Sequence, residues 1–243
     1  MMQSKKHSVL KGRLYNQRRR SRVNEIAEIK RRLKTVLKNH PQVVSVYIYG
    51  GLISKRVHAK SDLDLFIILS DHHNPTHLIN QVYSEIKKLG FSRRLDCDFC
   101  FESEARNLLH GGKAQSQYLT VSKTGLHIHG KPYLKNLGFS LKEFHLTVAS
   151  IAQRIRHEVV NNFGEVTPEY ARKKVLYEYG SLAYVDKPRH KFHPFDNLAY
   201  TFRKYPQLRK YRNILMEKGA TLKDIWEASE ALRLVIEKKM KKL

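Results

Sequence analysis

Two hydrophobic periods run along this chain, and the change from one to the other divides it. From Val23 to Leu37 the apolar set Val23, Ile26, Ile29, Leu33, Val36 and Leu37 has helical spacing and stops before Pro41. Val43 to Tyr49 is then a dense apolar run of strand character, broken by Gly50-Gly51. About ten residues on, Ser61-Asp62-Leu63-Asp64-Leu65 leads into a second such run, Phe66 to Leu69. Asn74-Pro75 is an N-cap followed by proline at the first helical position, with Leu78, Ile79, Val82, Ile86 and Leu89 on one face and Gly90 as the stop. Arg94 to Phe101 alternates as a third strand. Gln117–Ser122 and Leu126–His129 read as two short strands around Gly125, a closing hairpin.

Beyond a linker at Leu134–Leu137 the period is helical throughout. Ser140 with Glu143 forms a capping box ahead of the stripe Phe144, Val148, Ile151, Ile155 and Val159. Thr167-Pro168 opens a second helix, and Pro188–Tyr205 holds a short one between loops. Thr221 with Asp224 starts a last helix with Leu222, Ile225, Trp226, Leu232, Val235 and Ile236 inward. The expected architecture is α+β: an arm at 1–22, a mixed-sheet domain at 23–138 and an all-helical bundle at 139–243.

Composition changes this picture in one respect. With 46 Lys and Arg against 22 Asp and Glu, the 243-residue chain carries a formal charge of +24. Self-repulsion of that size disfavours a compact state, so a polyanionic partner such as RNA or another nucleic acid on a basic surface is expected. The arm, with Arg18-Arg19-Arg20 at its centre, is a candidate contact. Cys97 and Cys100 share one strand at a spacing that points them to opposite faces, which disfavours a disulfide and fits a reduced cytoplasmic setting. No apolar run approaches the length of about 18 residues that a membrane helix needs.

The candidate chemistry lies at the second strand. Asp62 and Asp64 fall on one face of it, where two carboxylates repel each other and lose hydration. A cation between them relieves both costs, and oxygen ligands at that spacing suit Mg²⁺, which takes one or two carboxylates plus substrate phosphates. The glycine pair lets the backbone approach a phosphate closely.

The order apolar strand, Gly-Gly, about ten residues, then Asp-x-Asp entering a second apolar strand resembles the signature of the polymerase-beta-like nucleotidyltransferases. The resemblance covers roughly residues 40–101. It implies a Mg²⁺-dependent enzyme, with two metal ions, that moves a nucleoside monophosphate from ATP or another nucleoside triphosphate onto a hydroxyl of RNA, protein or a small molecule, releasing pyrophosphate. Asp62 and Asp64 would hold the metal. A third carboxylate, completing the metal site and helping to deprotonate the acceptor, would come from the Arg94–Phe101 strand, Asp98 or Asp96, with Asp98 deeper in the apolar run. Gly50 and Gly51 would cradle the triphosphate, and Lys55, Arg56 and Lys60 are placed to reach phosphates. Lys173 and Lys174 resemble the basic residues that relatives project back onto the nucleotide. Gly51 is followed by Leu52-Ile53-Ser54, where the tRNA and poly(A) branch carries an arginine-rich sequence, which sets the chain apart from that branch. Two alternatives share the fold: a non-catalytic nucleic-acid-binding module, and the adenylylating member of a toxin–antitoxin pair.

Overall fold

The computed structural model describes residues 21–54, 61–106, 115–135, 140–161, 164, 166–187, 193–217 and 219–243. Residues 1–20 of the arm expected at 1–22, and the predicted phosphate contacts Lys55, Arg56 and Lys60, lie outside them, while residues 21 and 22 belong to the first helix. Helix α1 (residues 21–37) precedes strand β1 (Val43–Tyr49), a single 3₁₀ turn (Gly50–Leu52) and strand β2 (Leu63–Leu69). β1 and β2 pair antiparallel, with Tyr49 opposite Asp64. Helix α2 (Pro75–Lys88) then crosses over, so that β3 (Leu95–Phe101) returns parallel to β2, with Leu63 opposite Leu95 and Asp64 opposite Asp96. β4 (Leu126–Gly130) completes a mixed sheet in the order β3-β2-β1-β4.

Strand alternation sends every second residue to one of two apolar layers. Val46, Ile48, Leu63, Leu65 and Ile67 face Leu33 and Leu37 of α1 and Val82 and Ile86 of α2. Tyr47, Phe66, Ile68 and Cys100 face the other way, onto Tyr118 and Val121. Cys97 packs in the first layer and Cys100 in the second, and the two form no disulfide with each other, in keeping with their spacing.

One expectation is overturned. Gln117–Ser122 is not a strand but the body of helix α4 (Gln115–Thr124), which follows the short α3 (Glu102–Arg106). Ser116, Tyr118, Leu119, Thr120 and Val121 are all buried, because α4 is wedged between the sheet and the later helices. A helix buried on several sides shows no amphipathic stripe, and its β-branched residues imitate a strand. The Thr120 and Thr124 hydroxyls bond one turn back, to the carbonyls of Ser116 and Thr120 (both 2.8 Å), which satisfies them inside the helix.

The remaining helices are α5 (Leu141–Asn161), α6 (Pro168–Asp186), α7 (Pro194–Lys204), the short α8 (Pro206–Arg209) and α9 (Arg212–Met216), and α10 (Leu222–Met240). They share one core running from Phe144 to Ile236. The predicted caps form: Ser140 Oγ accepts from Glu143 N, Thr167 Oγ1 from Tyr170 N, and Thr221 and Asp224 cap reciprocally. Bonds across α4 tie this bundle to the sheet. Ser116 Oγ donates to Glu178 Oε1 of α6 (2.9 Å), and the Tyr177 hydroxyl donates to Thr120 Oγ1 (2.5 Å). Among the described residues no helix is long and apolar enough to cross a membrane.

Candidate active site

β1 runs out at Tyr49 into the glycine pair, and the backbone there turns onto β2. Gly50 has φ +70°, and a Cβ on it would stand 2.1 Å from Asp64 Oδ2, so only glycine fits. Gly51 N–H donates to that same oxygen (3.3 Å). The turn and Asp64 are thus one unit. Arg22 fixes the far side of the turn, donating from Nη2 to the Ile53 carbonyl (2.7 Å) and from Nη1 to that of Ser54 (3.1 Å).

Four aspartates gather around this turn. Asp64, half-buried, lies beside Asp96 across the parallel β2–β3 pair. Asp62, just ahead of β2, receives Arg94 Nη2 at 2.8 Å. Asp98 sits two residues further along β3, on the Phe66 side of the sheet. Its Oδ2 accepts from the Tyr49 hydroxyl of β1 and from Gln117 Nε2 of α4. Burial pushes the Asp64 carboxyl up to about 6, and the nearby Asp96, Asp62 and Asp98 add to the rise while the Gly51 N–H opposes it. Tyr49 is held far above the ordinary phenol range, first by burial and then by Asp98, so it stays a donor. Burial, with Asp96 and Asp98 behind it, pushes the Cys97 thiol up to about 12 and keeps it un-ionised.

The sequence expectations therefore meet this site unevenly. Asp62, Asp64, Asp96 and Asp98 converge with Gly50 and Gly51 at one end of the sheet. Of the two arginines that precede β3, Arg93 forms a two-bond pair with Glu25 of α1 (2.5 and 2.9 Å), and Arg94 takes Asp62. In a parallel pair the residue just before β3 lies beside the residue just before β2, which is Asp62. Lys173 is paired with Glu169 (3.3 Å) and Lys174 lies 5.3 Å from the Tyr170 ring centre, so their described contacts are along α6 itself. Among the described residues no three His, Cys, Asp or Glu side chains are gathered closely enough to enclose a metal ion by themselves. Tyr49 and Gln117 went unread. The strand period already put Tyr49 on the aspartate face, whereas Gln117 carried no signal once its helix was read as a strand.

A glycine turn closing on an acidic strand, inside a mixed four-stranded sheet with a helical part after it, defines the nucleotidyltransferase class. The comparison with protein families agrees: residues 31–119 match the family described as Polymerase beta, Nucleotidyltransferase, so this part of the chain is similar to that domain. It is a nucleotidyltransferase. In overall fold the chain is similar to the spectinomycin adenyltransferase AAD(9) from Enterococcus faecialis, solved with ATP and spectinomycin. The TM-score is 0.51 at 14% identity over 89% of this chain and 98% of that one. A mutant of the toxin-antitoxin MntA-HpeT aligns at TM-score 0.30 and 14% identity, over 55% of this chain and 96% of that one, too distant to carry weight. None of the curated proteins compared with the chain matches it.

Proposed function

We propose that this protein transfers a nucleoside monophosphate from ATP or another nucleoside triphosphate to an acceptor hydroxyl, with Mg²⁺ as cofactor and pyrophosphate as the second product. The observation that carries this is Asp64, held against the Gly50-Gly51 turn and crowded by Asp62, Asp96 and Asp98. Carboxylates that repel one another beside a backbone able to approach phosphates are the donor set a hard divalent cation suits, completed by the phosphates themselves. Asp62 and Asp64 are the residues that would hold it. Mg²⁺, when bound, would neutralise charge on the phosphate oxygens.

The protein's own groups account for the rest. Asp98, oriented by Tyr49 and Gln117, takes the proton of the acceptor hydroxyl; we favour it over Asp96, which is exposed and makes no described hydrogen bond. The hydroxyl oxygen bonds to the α-phosphorus as the bond to the pyrophosphate oxygen breaks. Lys55, Arg56 and Lys60, with Lys173 or Lys174 from the helical part, are the candidates for holding the leaving pyrophosphate. We place the domain boundary near residue 138, because among the described residues the sheet cores draw on residues up to Leu134 and the bundle core on those from Leu141. The charge of +24 favours RNA among the possible acceptors and partners.

The test uses ATP labelled at the α-phosphate, with Mg²⁺, against tRNA, total RNA and cell extract. Label enters an acceptor with the wild type, and replacing Asp62→Asn together with Asp64→Asn lowers the rate by about 100-fold or more. Transfer that survives the double replacement overturns the assignment.

A further inference from the structure

A cleft of about 440 Å³ lies between α5 and α6, within the range of about 300 to 1,000 Å³ typical of small-molecule sites. Thr147, Ile151 and Arg154 line it from one face of α5, and Tyr170, Lys174 and Glu178 from one face of α6, at the three- and four-residue spacings of a helix surface. Ile155 and Val166 are buried in its apolar wall, while Leu146 and Tyr170 are about half exposed.

Glu178 is the buried charged residue of this wall, 4% exposed. Its Oε1 accepts from Ser116 Oγ of α4 (2.9 Å), whereas Oε2 has no hydrogen-bond partner among the described residues. A buried carboxyl oxygen left unpaired is costly, so it calls for a donor. Glu158 also leaves an oxygen unpaired, but His157 stands 4.0 Å from its carboxylate. The cations of the cleft do not pair with Glu178: Lys174 lies 5.3 Å from the Tyr170 ring centre, and Arg154 makes no ion pair among the described residues. One residue along α4 from Ser116, Gln117 donates to Asp98, so a single helical turn ties Glu178 to the candidate active site.

We infer that this cleft binds a nucleotide unit whose base carries an amino group, either the terminal residue of an RNA acceptor or a free nucleotide. The amino group donates to Glu178 Oε2, the base lies against Tyr170 and the apolar wall, and the phosphate meets Arg154 and Lys174. The groups narrow the ligand by exclusion. A simple anion would be repelled by Glu178, a simple cation by Arg154 and Lys174, and an apolar molecule would leave Oε2 unpaired. The inference rests on the RNA reading of the acceptor given above and names the part of it that is recognised. Lys174 then serves the cleft, which leaves Lys173 as the candidate of α6 for the pyrophosphate.

The experiment measures binding of CMP and of UMP to the full chain by calorimetry, in EDTA and at a pH above about 7, where Glu178 is ionised. The two nucleotides differ at the base edge, where the amino donor of one is an oxygen acceptor in the other. The wild type is expected to bind CMP about 10-fold more tightly than UMP. Glu178→Gln keeps an oxygen for Ser116 and offers the base an N–H donor, so its preference is expected to move to UMP. A purely structural Glu178 would leave that ratio unchanged, and such a result overturns the inference. Arg154→Ala, at an exposed position, is expected to weaken both nucleotides alike by about 10-fold with an unchanged thermal melt. Should Glu178→Gln fail to fold, this variant decides: unchanged affinity overturns the cleft. RNA oligomers ending in C or in U form a further arm. Binding at least about 10-fold tighter than CMP, with the same terminal preference, identifies an RNA end as the occupant, and equal affinity identifies a free nucleotide. A wild type that binds neither nucleotides nor oligomers overturns the inference. With no ATP or Mg²⁺ present, a failure here leaves nucleotidyl transfer standing, and the label-transfer assay above is read separately.

Discussion

Asp64 is a carboxylate that the fold holds at a cost. In the unfolded chain it ionises near 3.8, while in the fold its proton leaves only at about 6. Between those values the folded state retains a proton that the unfolded state has released, so stability falls as pH rises through that window and is level above it. A displacement of that size corresponds to about 3 kcal/mol, and the partial solvent access of Asp64 reduces the expected effect to about 2 kcal/mol. Thermal melts in EDTA are expected to show Asp64→Asn gaining that margin over the wild type as pH rises from about 4 to about 6, and keeping it up to pH 8. Adding Mg²⁺ should stabilise the wild type and leave the variant nearly unchanged. A variant no more stable than the wild type at pH 8 would remove the strain attributed to this carboxylate. Tyr49 is the counterpart of this cost: its phenol cannot ionise beside Asp98, so its hydroxyl keeps donating across the whole working range.

At the scale of elements, α6 and α7 approach each other closely at one glycine. Gly180 lies mid-helix in α6, where glycine ordinarily costs about 1 kcal/mol relative to alanine. Here a Cβ would stand 1.8 Å from the Pro194 carbonyl oxygen, a backbone atom that no rotamer change can move aside. The collision outweighs the gain in helix propensity, so Gly180→Ala is expected to destabilise the chain by about 2 kcal/mol or more, read from urea unfolding. α4 is the other joint. Gln117 reaches Asp98 while Ser116 reaches Glu178, so one helical turn touches both the candidate site and the bundle. Burial pushes Glu178 up to about 7, so this contact is made largely by a neutral acid below that pH.

Over the whole molecule, a charge of +24 acts on stability through self-repulsion, which dissolved ions screen. Raising NaCl from about 20 mM to about 300 mM shortens the screening length severalfold. The melting temperature is expected to rise by about 3 °C or more, corresponding to roughly 1 kcal/mol in a chain of this size. A temperature that stays constant or falls would mean that local pairing already balances the charge. A bound polyanion should produce the same rise at low salt.

The local periods and caps of the sequence determined most of the elements here. The period-2 run of β2 displayed Asp62 and Asp64, Gly50-Gly51 marked the turn, and the caps at Asn74, Thr167 and Thr221 marked helix starts, because each depends on residues within a few positions of one another. They also sufficed to recognise the nucleotidyltransferase pattern. Tertiary structure alone decided that Gln115–Thr124 is a helix, since burial on several sides erased its stripe. It alone decided that Arg94 neutralises Asp62 and that Tyr49 and Gln117 orient Asp98. Those partners lie between 19 and 49 positions apart, and strand register and helix packing bring them together.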